Sequence, residues 1–592
     1  MSASIQNPAE QLQQAAMALA AVQKALDYSL ADLKERSQKA DGKISAALLD
    51  QHQLVSYDLS LSCAEVTGAR FALDYAQRAR NAGGGSASEL TLEERFALLF
   101  SAEALQAVRN RLSSRPADFG LNDQWLGATV DHPTVRQFCL AQLPAERVAE
   151  LGQLMRAQGG VTGAYLLDDH HEMMRETFRR VAEEVVMPLA EEIHRHDLDI
   201  PDAIIDQLKD LGCFGISIPE RFGGIQSDEH EDNLGMIVVT EELTRGSLGA
   251  AGSLITRPEI LSKALLKGGT EEQKMKWLPQ LASGDLLCAV AVTEPNYGSD
   301  VANMRLKATK TEGGWLLNGA KTWCTFGGKA GVLLILARTN PDLSLGHRGL
   351  SMFLLEKPST PGHAFEFTQE GGGKLTGKAI PTIGYRGMHS FDLFFDNVFV
   401  PDENMLGGPK GEGKGFYFTM AGFAGGRIQT AARAVGLMQA AYEKALSYAQ
   451  ERIVFGYPIG DYQLTQVKLA RMATYLAISR QFTYAVGRLM DQGEGDMEAS
   501  MVKLFTCKTA EWVTREALQI HGGMGYAEEV SVSRYFIDAR VLSIFEGAEE
   551  TLAPGAPLSN RAVLVSATAS TATLGTTALL RQTRLVPAIV IA

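Results

Sequence analysis

Phe545-Glu546-Gly547 sets a carboxylate between an aromatic side chain and a glycine at the end of an apolar run. A glutamate drawn partly out of water there can act as a base near neutral pH. The same residue also reads as an ordinary acid at a helix start. Four other segments carry groups suited to a flat, phosphate-bearing ligand. Residues 291–300 (AVTEPNYGSD) end a strand in a Pro/Gly turn that offers hydroxyls and free N–H groups, with Ser299 able to reach a phosphate. Residues 321–328 (KTWCTFGG) put Trp323 and Thr325 at alternate strand positions, hence on one face. Residues 451–456 (ERIVFG), followed by Gln463, break two long helices at a glycine and leave Arg452 able to pair with a pyrophosphate. Residues 519–526 (QIHGGMGY) follow a helix with bare backbone amides at Gly522 and Gly523. Each segment also has a plain reading: a hairpin turn, a half-buried strand, a solvated arginine at a helix end, a glycine helix stop.

The elements that must position these groups follow from periodicity. Residues 11–33, 49–80 and 90–112 have apolar residues at helical spacing, and Thr91 with Glu94 predicts a capping box. Residues 81–88 (NAGGGSAS) read as a linker. Residues 172–196 are again helical, and Pro201 marks a new helix start. Between 286 and 400 the runs at 286–293, 315–317, 332–337, 350–355 and 391–400 predict short strands in a small closed or two-sheet barrel. Residues 407–415 form a glycine-rich loop; 438–452, 463–492 and 498–520 predict a helical bundle. The stretch after Glu550 lacks Lys, Asp and further Glu and reads as poorly ordered.

The 592 residues carry a net charge of −13, which argues against nucleic acid as the main partner. The six cysteines are scattered, with no metal knuckle or redox pair, which suits a reducing cytoplasm. Neither a signal peptide nor a membrane span is expected.

Taken together and in order, TEPNYGSD, KTWCTFGG, the Arg427 helix start, ERIVFG, QIHGGMGY and FEGAEE (545–550) resemble the acyl-CoA dehydrogenase family over residues 168–552. The resemblance implies a mainly α fold with a central β-barrel: an extra helical domain at 1–160, a helical domain at 165–285, a barrel at 286–402, a four-helix bundle at 410–553 and an atypical tail at 554–592. It implies FAD, held by Val290, Val292, Thr293, Ser299, Trp323 and Thr325 of one chain. Arg452, Phe455, Gln463, Gln519, Gly522 and Gly523 of a second chain would hold its adenosine side, hence a homodimer or homotetramer. It implies CoA contacts from Ser299 and Arg427, Glu546 as catalytic base, and electron-transferring flavoprotein as electron acceptor. Some branches carry the base just before the arginine; here that position is Gly426. Ala548 departs from the usual threonine. The long N-terminal extension and Thr256-Arg257-Pro258-Glu259-Ile260 look most like the branch whose short acyl group ends in a carboxylate, with Arg257 as its partner through a two-pronged pair. Other acyl chains (medium, long or methylthio-substituted) and a non-catalytic flavin-binding scaffold are the competing readings.

Overall fold

The computed structural model describes residues 7–83 and 88–555. The core of the expected linker, 84–87, and the tail from 556 onward lie outside the described residues.

The N-terminal part is helical, as its periodicity requires. Its main helices are Pro8–Arg36, Gln53–Gly83, Leu92–Ser114, Pro133–Gln142 and Ala145–Ala157. Asn7 caps the first by accepting from the Glu10 N–H, and the Thr91/Glu94 capping box is present. This layer is packed against the C-terminal helices rather than hung from them. A Cβ on Gly152 would stand 2.1 Å from the Gln466 carbonyl oxygen, so only glycine permits that approach. Arg471 reaches Glu103 at 2.6 Å.

Helices Asp169–Val181, Met187–His196, Asp202–Asp210, Asn233–Gly246, Thr256–Gly268 and Glu271–Ala282 follow. Asn233–Gly246 is buried along its whole length. Pro201 is the N-cap of Asp202–Asp210, one residue before the helix proper.

A two-stranded sheet pairs Ile453–Val454 with Tyr457–Pro458, and the remaining strands form one curled sheet. They are β1 (Cys288–Ala291), β2 (Lys307–Thr311), β3 (Gly314–Thr325), β4 (Val332–Arg338), β5 (Leu350–Glu356), β6 (Ala364–Thr368), β7 (Lys374–Ala379) and β8 (Ser390–Pro401). The order is β1-β4-β2-β3-β8-β7-β6, with β5 paired to β4. β1 and β4 run parallel; β4 is buried at every position and reads as a continuous apolar run for that reason. β3 and β8 pair antiparallel, with register breaks after Leu317 and after Lys321.

Three long helices complete the core: Gly415–Glu451, Gln463–Asp491 and Asp496–His521, followed by Ser531–Leu542 and Glu549–Gly555. The first corrects the sequence reading. Arg427 does not start a helix; it lies twelve residues inside one. The glycines before it lie inside the helix and permit a close approach: a Cβ on Gly422 would meet the Ile260 carbonyl oxygen at 2.9 Å, so the helix runs tight against Thr256–Gly268. Among the described residues no helix is long and apolar enough to cross a membrane.

Candidate active site

Glu546 sits in the tight turn between Ser531–Leu542 and Glu549–Gly555. Two consecutive left-handed residues, Glu546 (φ +54°) and Gly547 (φ +99°), make that turn. The left-handed region costs a non-glycine residue about 1 kcal/mol or more, so the surroundings must hold Glu546 there. Fully buried Lys503 does so, its Nζ donating to the Gly547 carbonyl at 2.5 Å. On the other side a Cβ at Gly547 would stand 2.9 Å from Leu552 Cδ2, which excludes a larger residue.

The carboxylate itself points to the N-terminal end of helix Thr256–Gly268. Arg257 Nη1 donates to Glu546 Oε1 at 3.1 Å, and the two side chains are only 7% and 8% exposed. A Cβ on Gly426 would stand 2.9 Å from Glu546 Oε2. The absence of a side chain at 426 is therefore what makes room for the carboxylate. Phe545 packs edge-on against Tyr385 and under the guanidinium of Arg433, 4.7 Å from its centroid. The backbone N–H of Glu546 has no acceptor among the described residues.

Cations crowd this one carboxylate. Arg433 is fully buried; its Nη1 donates to Ser253 and its Nη2 to Thr430, while Nε has no partner. Arg427 gives one hydrogen bond, to Ser500 at 3.3 Å, and its Nε is also unpartnered. Burial pushes the Arg427, Arg433 and Lys503 pKa values down, and none of the three forms an ion pair with a described carboxylate. Glu259, two residues beyond Arg257, is already engaged by Lys263 at 3.0 Å and by Gln429. The site therefore holds more positive than negative charge, which a buried site tolerates only when an anion completes it. Arg433 and Lys503 were not singled out from sequence. Their signal was present: each is a lone cation in an otherwise uncharged helical run, QTAARAVGLM and SMVKLF.

The other predicted residues fall into two groups. Val290, Val292, Thr293, Trp323 and Thr325 lie together on β1, the turn after it and β3; Thr322 N–H donates to the Thr293 carbonyl at 2.9 Å. Thr325 Oγ1 is 3.0 Å from Ser390 Oγ. The expected alternation of Trp323 with Thr325 is broken. A bulge after Lys321 puts Trp323 at φ +56° and leaves it 55% exposed, while Thr325 is buried. Ser299 is exposed and within 3.3 Å of Thr551, on the helix after Glu546. The second group, Arg452, Phe455, Gln463, Gln519, Gly522 and Gly523, is exposed at the ends of the bundle helices. Phe455 is 91% exposed at φ +51°, and nothing lies within 4 Å of a Cβ built on Gly522 or Gly523. No hydrogen bond or ion pair between described residues joins the two groups.

The model of the acyl-CoA dehydrogenase C-terminal domain matches residues 413–553, that of the N-terminal domain 168–285, and that of the middle domain 289–398. The chain belongs to the acyl-CoA dehydrogenase family. It is 40% identical to (2S)-methylsuccinyl-CoA dehydrogenase of Cereibacter sphaeroides over 90% of this chain and 95% of that one. It is 36% identical to the mitochondrial 2-methylacyl-CoA dehydrogenase of Solanum tuberosum, over 70% and 96%. A chain in the structure of the electron transferring flavoprotein of Acidaminococcus fermentans superposes with a TM-score of 0.60 at 30% identity, over 68% and 99%. This acyl-CoA dehydrogenase is thus an oxidoreductase of a family of flavoproteins, and the residues present suit a flavin. A hydroxyl-bearing strand turn, an exposed indole beside it and an open pair of glycines offer edge hydrogen bonds, a face and close backbone approach.

Proposed function

We propose that this acyl-CoA dehydrogenase oxidises (2S)-methylsuccinyl-CoA to mesaconyl-CoA with FAD, a step of the ethylmalonyl-CoA pathway. The single observation that carries this reading is the buried Glu546–Arg257 pair in a surround of unpaired Arg427, Arg433 and Lys503. That surplus of positive charge suits an acyl group with its own carboxylate better than a hydrocarbon chain. Identity to a methylsuccinyl-CoA dehydrogenase across most of both chains, the N-terminal helices included, supports it.

The chemistry divides among the chain's own groups. Glu546 removes the proton from the carbon next to the thioester. The free backbone N–H of Glu546 is placed to receive the thioester oxygen as negative charge moves onto it. FAD, when bound, accepts the β-hydrogen as hydride. Val290, Val292, Thr293, Ser299, Trp323 and Thr325 are assigned to hold it from one chain. Arg452, Phe455, Gln463, Gln519, Gly522 and Gly523 are assigned to its adenosine end from a second, in a homodimer or homotetramer. Ser299 and Arg427 are assigned to CoA, and Arg257 to the distal carboxylate. The two electrons leave to an electron-transferring flavoprotein, in the cytoplasm.

A panel of acyl thioesters turned over with a dye acceptor tests this. The highest kcat/KM is expected for (2S)-methylsuccinyl-CoA, with Arg257→Ala lowering it about 100-fold, the worth of a charge-assisted two-pronged contact. Preference for a medium or long chain, or an unchanged Arg257→Ala enzyme, would overturn the reading.

A further inference from the structure

Arg257 and Glu546 are each other's only ion-pair partner among the described residues. Both side chains are more than nine-tenths buried, so their attraction is weakly screened. A base held by a guanidinium is a restrained base: the attraction to Arg257 is weakened once the carboxylate takes a proton, so proton transfer from carbon works against that pair even at Oε2, which no described residue hydrogen-bonds. No other group among the described residues shares the load. Charged groups face Glu546 from three helices: Arg257 and Glu259 from Thr256–Gly268, Arg427 and Arg433 from Gly415–Glu451, and Lys503 from Asp496–His521. Tyr385 and Cys324 face Arg257. Only Arg257 bonds to the carboxylate.

A second observation lies beside the first. Thr256 is fully buried and its hydroxyl has no partner. It opens the thirteen-residue helix Thr256–Gly268, whose N-terminal end favours negative charge. A guanidinium with one nitrogen on Glu546 and a buried, unpartnered hydroxyl therefore belong to the first two residues of one helix start.

Bond lengths then decide which anion can use it. In an acyl group with a carboxylate on the β carbon, that carboxylate is two bonds from the carbon whose proton the base removes. A cation within hydrogen-bond distance of the base is within reach of the carboxylate in the same bound pose. A carboxylate farther along a longer chain would be carried away from it.

We propose that Arg257 is a shared counter-ion: it restrains Glu546 until a carboxylate on the β carbon of the substrate takes over its guanidinium, so the base is released for dicarboxylic acyl groups and stays restrained for neutral ones. The inference rests on the dehydrogenase reading above and deepens it. Selection for the charged acyl group is then exerted on the proton-transfer step as well as on binding. The step itself balances as before: the α-proton goes to Glu546, the β-hydrogen leaves as hydride, and Arg257 only changes partner.

The test compares (2S)-methylsuccinyl-CoA with 2-methylbutanoyl-CoA, in which a methyl replaces the carboxylate. Anaerobic rapid mixing with the flavin-loaded protein reads the bleaching rate at saturation and the dissociation constant separately. Wild type is expected to bleach faster with methylsuccinyl-CoA at saturation by about 10- to 100-fold, one charge-assisted hydrogen bond's worth. Arg257→Met is expected to slow that substrate and to speed 2-methylbutanoyl-CoA severalfold. Exchange of the α-hydrogen of 2-methylbutanoyl-CoA with deuterated solvent, followed by NMR, should rise in the same variant and does not depend on hydride transfer. A variant that slows both substrates alike gives Arg257 a structural role and overturns the proposal. One that changes only dissociation constants makes it a binding contact and overturns it too. In either case a wild-type preference for methylsuccinyl-CoA leaves the function standing, whereas wild type favouring the neutral substrate defeats both. Should Arg257→Met not fold, Arg257→Gln and the wild-type rate ratio at saturation decide, a ratio near one overturning the proposal.

Discussion

At the scale of single residues the site is built by what Gly426 lacks as much as by what Glu546 has. A methyl group there would press on Glu546 Oε2 at 2.9 Å, and the flexible carboxylate would yield before the helix did. Alanine is also better than glycine inside a helix by about 1 kcal/mol. Gly426→Ala should therefore leave the melting temperature unchanged or raised while kcat falls tenfold or more; scanning calorimetry and a dye-linked assay read the two effects apart. The sequence made Glu546 and Arg257 legible as candidates, because each interrupts its surroundings in a way plain structure does not demand. It did not make their contact legible, since they stand 289 positions apart and meet only when the turn at 546 folds onto the helix start at 256.

At the scale of elements, helix ends do much of the positioning. Asp168 caps Asp169–Val181, and Asp232 caps Asn233–Gly246. His171 bridges the two caps, Nδ1 2.8 Å from Asp168 and Nε2 3.0 Å from Asp232. Only the imidazolium donates from both nitrogens. The hydrogen bond to Asp232 raises the His171 pKa above its usual 6.5. Against the cost of burial, hydrogen bonds from His171 and the Gly235 N–H hold Asp232 below the ordinary carboxylate value of 3.8. The histidine's contribution is complete below 6.5 and disappears as pH rises through its folded value; the carboxylates' contribution is complete above 3.8 and disappears as pH falls. Between those limits His171→Gln should cost about 1 kcal/mol, a partly exposed charge-assisted bond. The cost should shrink above neutrality in denaturant titrations run across pH; a constant difference would contradict the bridge. Long helices and the apolar strands β4, β5 and β8 were readable from periodicity. β2, β6 and β7 were not, because they are short, the first two largely exposed, with Lys, Thr and Glu that also suit loops. The Arg427 helix start was misplaced because the glycines at 422, 425 and 426 sit inside the helix Gly415–Glu451, where the neighbouring helix and Glu546 come close.

At the scale of the molecule, the N-terminal helices are a second layer on the bundle. Buried Arg480 ties the segment just after them to the bundle, its Nη1 on Thr162 at 3.0 Å, while its Nε on Glu241 and its Nη2 on Gln439, both at 2.7 Å, join it to helices Asn233–Gly246 and Gly415–Glu451. The bundle's far end is different: Phe455 at 91%, Tyr526 at 88% and Leu464 at 71% exposure leave a large apolar surface on one chain. Patches of that kind mark contact surfaces. Phe455→Asp should reduce the mass seen by light scattering toward that of one chain and release bound FAD; an unchanged mass and full flavin content would contradict the proposed sharing of the cofactor between chains. The domain order was legible because motifs kept their sequence order, while the mating of layers was not, because it depends on surfaces that meet only in three dimensions.

The proposed chemistry depends most on Glu546 as the base, and anaerobic mixing of (2S)-methylsuccinyl-CoA with wild type and Glu546→Gln, both loaded with FAD, tests that role most directly. The glutamine variant should bind the thioester yet bleach its flavin at least 1,000-fold more slowly, about the upper range for loss of a positioned base. Bleaching at the wild-type rate would contradict it.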